Sequence, residues 1–97
     1  MKLQHFDEQF MTPIMELLLF IYYNEGTTLT FCAQYLKRQL SLVRRLLNKL
    51  ENSGLIEKKL SQKDNRIKLI YTSIEGKELA RQLELYASKI NQMKIQY

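Results

Sequence analysis

One cysteine, one histidine, one proline, three glycines and no tryptophan occur in this 97-residue chain. The lone Cys32 excludes an internal disulfide and any multi-cysteine zinc site. His5 is the only imidazole, and no Gly-rich phosphate loop, nucleophile elbow or Cys/His metal spacing accompanies it. Catalysis therefore has no constellation to rest on, and neither a cofactor nor a metal is expected. The longest apolar run, Leu17–Tyr23, is far short of the ~20 residues that span a bilayer. The beginning, M-K-L-Q-H-F-D-E, mixes charges where a secretory signal would carry an apolar stretch. The expectation is a soluble, cytoplasmic protein without a membrane partner.

What is present is an ordinary globular balance, 45% hydrophobic and 26% charged, with a net charge of +5. The length suits one small domain with a modest core, for which self-association is a natural source of extra stability. The charge is unevenly placed. From Lys37 to Lys68 there are ten Lys/Arg against three acids, a local +7, while the remainder of the chain carries −2. A chain that is basic only in its middle points to a directed footprint on a polyanion.

That window contains the stretch around which the other residues are organised, Ser41 to Arg66. Val43, Leu46, Leu47 and Leu50 share one face of a helix, from which Arg44, Arg45, Asn48 and Lys49 project. Ser41 is read as its cap and Gly54 as its stop. Leu55–Lys59 and Ile67–Tyr71 are then two strands around the polar tip K-D-N-R. Helix, stop, strand, tip, strand is the outline of a recognition helix followed by a β-hairpin wing. Such a helix reads base edges in the major groove, where Arg suits guanine O6/N7 and Asn suits adenine N6/N7. Ser41, Leu42, Arg44, Arg45 and Asn48 are the candidates for that work, with Lys49 nearer the DNA backbone. The residue pattern leaves open which arginine meets a base. Lys37 and Arg38, at the turn before the helix, suit phosphate contact. At the wing, Lys63, Asn65 and Arg66 suit the minor groove, where an Arg is drawn by the negative potential. Asp64 belongs beside phosphates only if it orients Arg66 or caps the turn.

The flanking segments fit this unit. Leu3, Phe6 and Phe10 suit a short N-terminal helix or packed arm. Thr12-Pro13 starts a helix to about Asn24 that is apolar nearly all round and hence central, with Gly26 just past its end. Thr30 is read as the cap of a second helix through Arg38, with Ala33 and Leu36 inward. Cys32 in its first turn is either a buried filler or a thiol activated by the helix dipole. Thr72 and Glu75 have the spacing of a capping box before a final helix. There Leu79, Leu83, Tyr86, Ile90, Met93 and Tyr97 repeat at intervals of four and three, a heptad seam. At about 24 residues, or roughly 36 Å, this helix overshoots so small a domain and suits dimerisation.

With these residues in place, the chain resembles the MarR family of winged-helix transcription regulators over roughly residues 12–79. The resemblance lies in L-N-K-L-E-N-S-G-L-I-E-K-K (Leu47–Lys59), D-N-R (Asp64–Arg66) and Y-T-S-I-E-G-K-E-L (Tyr71–Leu79). The last is similar to the family's L-T-x-x-G-x-x-L lead into its dimerisation helix, with Thr72, Gly76 and Leu79 matching. It implies a homodimer on a palindromic site with Arg66 in the minor groove. The chain departs from the family in having only eleven residues before Thr12 and one helix after the wing, which implies an effector pocket that is reduced or absent, and also in its turn at Lys37–Leu40. Small PadR-like forms share the compact plan. The reading is an α+β winged helix of order α-α-α-β-β-α. Residues 1–71 form the DNA-binding unit and 72–97 the dimerisation helix. The function read from it is a sequence-specific double-stranded-DNA-binding transcription regulator, a repressor. The alternatives are a winged-helix protein-interaction module or a plasmid or viral accessory DNA-binding protein.

Overall fold

The computed structural model describes residues 11–95, the side chains of 94 and 95 excepted. The N-terminal arm with Leu3, His5, Phe6 and Phe10, and Tyr97 at the other end, lie outside the described residues. Six elements follow in order: α1 (Pro13–Tyr23), α2 (Leu29–Leu36), α3 (Leu40–Asn52), β1 (Ile56–Leu60), β2 (Lys68–Thr72) and α4 (Ile74–Ile95). This is the winged-helix order expected from the sequence.

α1 begins where Thr12 Oγ1 accepts the Met15 N–H at 3.4 Å, with Pro13 in the first turn. Its apolar circumference is used on all sides: Leu17, Leu18, Leu19 and Ile21 are buried, and the helix touches α2, α3, α4 and β2. Each such side chain taken from water contributes about 1.5–3 kcal/mol, so α1 is the axis of the core. Val43, Leu47 and Leu50 of α3 pack against it with Ile56, Ile70 and Cys32. α3 ends in a Schellman motif: Gly54 N–H donates to Glu51 C=O at 3.0 Å and Leu55 N–H to Leu50 C=O at 2.9 Å. Gly54 holds φ +75°, a conformation open to glycine without penalty.

Several boundaries differ from the sequence reading, each for a tertiary reason. Thr28, not Thr30, caps α2, its Oγ1 accepting from the Phe31 N–H. The preceding Thr27 is held extended because it bridges to Ile70, with Gly26 N–H to Ile70 C=O and Ile70 N–H to Thr27 C=O both at 2.8 Å. α2 stops at Lys37, which takes a left-handed conformation (φ 56°). After so tight a turn α3 starts at Leu40, so Ser41 lies inside its first turn and Gln39 caps without a side-chain bond. The capping box at Thr72 and Glu75 is also displaced. Thr72 is still in β2, paired with Ile56, and Ser73 serves α4 instead by accepting the Gly76 N–H at 3.0 Å.

β1 and β2 are antiparallel, with Lys58 opposite Ile70. The core face of β2 is Ile70 and Thr72; Leu69 and Tyr71 are half-buried, and Ile67 is exposed outside the strand. A polar brace joins the far end of the hairpin to two other elements. Glu25, just after α1, accepts from the Thr72 N–H at 2.8 Å and from the Thr72 hydroxyl, and lies 3.8 Å from Lys77 Nζ. Lys77 in turn donates to Thr72 C=O at 2.9 Å.

α4 sits tight against the hairpin's base. Ser73 N–H donates to Leu55 C=O at 3.0 Å and Ser73 Oγ to Gly54 C=O at 2.6 Å. Further along, Ala80, Leu83 and Ala87 are buried in the core and α4 packs on α1. The heptad seam therefore divides. Leu83 belongs to the domain's own core and Ile90 is half-buried, while Leu79, Tyr86 and Met93 form an exposed flank. Small residues (Gly76, Ala80, Ala87) let α4 lie close to its own domain, which a pattern search for large apolar positions passes over.

Candidate nucleic-acid interface

α3 and the hairpin diverge from their shared contact to leave a groove of about 480 Å³. Arg44, Leu47 and Asn48 line it from α3, Lys58 and Lys68 from the strands, Arg66 from the wing, and Thr28, Leu29 and Thr30 from the start of α2. Four cations thus face one opening. Its floor is held by a small network: Lys58 Nζ donates to Asn48 Oδ1 at 3.1 Å and pairs with Glu51 at 3.3 Å. Lys58 uses one of the two lone pairs of the Asn48 carbonyl, so the second lone pair and the amide N–H groups remain available to a partner. Asn48 thus keeps both the acceptor and the donor that a bidentate adenine contact needs.

The remaining candidates fall into three places. Ser41, Arg45 and Lys49 are exposed on the outer face of α3, with Leu42 half-buried at its edge. Lys37 and Arg38 are exposed at the turn between α2 and α3, where Arg38 N–H reaches Ala33 C=O. Lys63, Asp64, Asn65 and Arg66 make the wing tip.

The tip is built around Asp64. Ser61 Oγ accepts from the Lys63 and Asp64 N–H groups, and Ile67 N–H closes onto Asp64 C=O at 2.9 Å. The Asp64 carboxylate accepts from the Arg66 N–H (3.0 Å), from Arg66 Nε (3.1 Å) and from the Arg66 Nη2 (3.1 Å). It both caps the turn and grips the guanidinium as a fork, the geometry in which Arg–carboxylate pairing is most directional. The Arg66 side chain donating to it, and then the Arg66 backbone N–H, hold the Asp64 carboxyl below its ordinary range. The same bond raises Arg66. Arg66 nevertheless keeps 90% of its side chain exposed, so its remaining N–H groups are presented to a partner.

Cys32 takes no part in this face. It is fully buried in the core, and desolvation pushes its thiol up to about 11 despite the lowering effect of the Thr27 hydrogen bond. Burial wins over the helix start, so the filler reading holds. An alkylating reagent at pH 8 should leave Cys32 unmodified in the folded protein and label it readily in denaturant, measured by intact mass. Rapid labelling of the native chain would contradict that placement. Among the described residues no cluster of three or more His, Cys, Asp or Glu could hold a metal ion, and no helix is long and apolar enough to cross a membrane.

No protein-family model and no curated protein sequence matches the chain. Solved structures do. Streptococcus pneumoniae FabT in complex with DNA superposes with a TM-score of 0.81 at 23% identity, over 86% of this chain and 58% of FabT. MepR, a transcription regulator of the Staphylococcus aureus multidrug efflux pump MepA, gives 0.79 at 23% identity, over 96% of this chain and 70% of MepR. A mutant of S. aureus MepR bound to an oligodeoxyribonucleotide gives 0.79 at 23% identity, over 97% and 71%. The chain thus spans a little over half to about seven tenths of these proteins. Its fold is the winged helix of MarR-family regulators.

Proposed function

We propose that this chain is a sequence-specific double-stranded-DNA-binding transcription regulator, acting as a homodimer and as a repressor, with no enzymatic activity. The observation that carries the reading is the convergence of Arg44, Lys58, Arg66 and Lys68 on the groove between α3 and the wing. Two structures of the same fold, FabT and a MepR mutant, are complexes with DNA, which supports assigning this face to a duplex. In this reading α3 lies in the major groove and the Asp64-oriented Arg66 reaches the adjacent minor groove. Lys37 and Arg38 meet phosphates on the near side.

Anisotropy titration with labelled duplexes tests it. Binding should be reversible and fall steeply with salt, each neutralised phosphate contributing about −0.9 to the slope of log K against log salt. Absence of salt-sensitive binding would sink the proposal.

Dimerisation is supported by the flank of α4. Leu79 is 39% exposed, Tyr86 59% and Met93 61%, and they stand seven residues apart on a helix whose last two turns run past Ala87, its final core residue. Two such flanks packed together would deliver two α3 helices to major grooves about one turn, ~34 Å, apart. In this division residues 1–71 read and 72–97 pair. Sedimentation should show a dimer near micromolar concentration, and a Leu79→Glu/Met93→Glu double variant should run as a folded monomer. A wild-type monomer of 11.6 kDa would overturn this part.

A further inference from the structure

α3 carries adjacent arginines, and the fold gives them different surroundings. At about 100° per residue, Arg45 stands roughly 200° from both Val43 and Leu47, the two α3 residues that are 0% and 2% exposed. It is therefore nearly opposite the helix's buried face, with Ser41 and Lys49 one turn to either side. Arg44 stands roughly 60° from Leu47, and it lines the groove beside Lys58, Arg66 and Lys68.

We infer that Arg45 is the base-reading arginine of this protein and that Arg44, in the groove between α3 and the wing, holds a backbone phosphate. The inference rests on the DNA-binding reading. A helix seated in the major groove turns toward the base edges the face opposite its packing face, and there a planar fork can meet guanine O6 and N7 together. The groove residues face the rim where the duplex backbone passes between helix and wing. Arg44 and Lys68 at that rim match a phosphate, a contact that carries no base code. Asn48 is the hinge between the two faces. Its carbonyl accepts from Lys58 with one of two lone pairs, which ties its position to the hairpin.

The test uses the full chain, a preferred duplex selected from a randomised pool, and a scrambled duplex of the same length. Arg45→Ala should weaken binding to the selected duplex roughly ten- to a hundred-fold and leave the scrambled duplex nearly unchanged. Arg45→Lys keeps the charge but loses the fork, and should lose the preference likewise. Arg44→Ala should weaken both duplexes by the same factor and lower the salt slope by about 1, while Arg44→Lys retains both. Thermal melts identify any variant that fails to fold, and for such a variant the Lys replacement decides. Equal losses on both duplexes for the Arg45 variants, or a lost preference for Arg44→Lys, overturn the assignment while leaving DNA binding intact. A wild-type chain that binds neither duplex overturns the assignment together with the reading beneath it.

Discussion

Replacing Gly76 with alanine should lower the melting temperature by at least about 12 °C, since a cost of about 3 kcal/mol shifts a domain of this size by roughly 4–8 °C per kcal/mol. Gly76 sits in the first turn of α4 with ordinary helical torsions, so conformational freedom does not explain it. A Cβ built there lies 1.9 Å from the Leu55 carbonyl oxygen and 2.9 Å from its carbon, both backbone atoms. No rotamer change relieves such a clash. Either α4 lifts off the hairpin, breaking the Ser73–Leu55 and Ser73–Gly54 bonds, or the hairpin moves from α3. Overpacking against side chains costs about 1–3 kcal/mol, and immovable backbone puts this site at or beyond that limit. Gly54→Ala is the informative comparison. Gly54 has nothing within 4 Å of its hypothetical Cβ but holds φ +75°, so its variant should lose only about 1–2 kcal/mol. Circular-dichroism melts of the two proteins should rank Gly76→Ala well below Gly54→Ala. Equal melting points would show that the close approach carries no energy. Because the same junction sets the angle between wing and α4, any Gly76 variant that still folds should also bind DNA with altered half-site spacing.

The second large effect concerns the wing. Arg66→Ala should weaken binding to a selected duplex by about ten- to a hundred-fold, the scale of one well-placed arginine, without moving the melting temperature. Its exposed side chain supports no packing, so the loss would be one of recognition. Asp64 offers the sharper contrast. Charge alone says that Asp64→Ala, by removing an anion from the DNA face, tightens binding. The geometry says the opposite, because Asp64 accepts three bonds from Arg66 and closes the turn onto Ile67. Orientation lost at a rotamer-rich side chain costs about 0.5–1.5 kcal/mol in binding. Asp64→Ala should therefore weaken the selected duplex by about 3- to 10-fold with an unchanged salt slope. Tighter binding of this variant would mean that Asp64 serves only the turn.

Features set within one or two turns of chain were readable from the residues. Thr12-Pro13 states the start of α1 by itself, and an apolar face followed by Ser53-Gly54 states the end of α3. The D-N-R tip carries its own geometry, since an aspartate two residues before an arginine can bond both its N–H and its guanidinium. Central placement of α1 followed from an apolar circumference that a single partner could not cover. Boundaries failed where a distant partner took the residue first. Thr72 has the composition of a cap, but Glu25, 47 residues away, holds both its N–H and its hydroxyl, and Ile56 keeps it in the sheet. Thr27 ends in a bridge to Ile70 and thereby moves the cap of α2 back from Thr30 to Thr28.

The residues alone determined the order of elements, the basic middle and the wing tip, because periodicity, caps and short-range hydrogen bonds act over a few positions. Only the tertiary structure decided how the α4 seam divides, since Leu83 packs into the core while Leu79, Tyr86 and Met93 stay exposed. It also decided why the chain has glycine at 76, where a helix start meets a carbonyl 21 residues earlier. And it separated Arg44 from Arg45, which are alike in type and adjacent in sequence. A single helical step of about 100° places one beside the wing and the other on the open face.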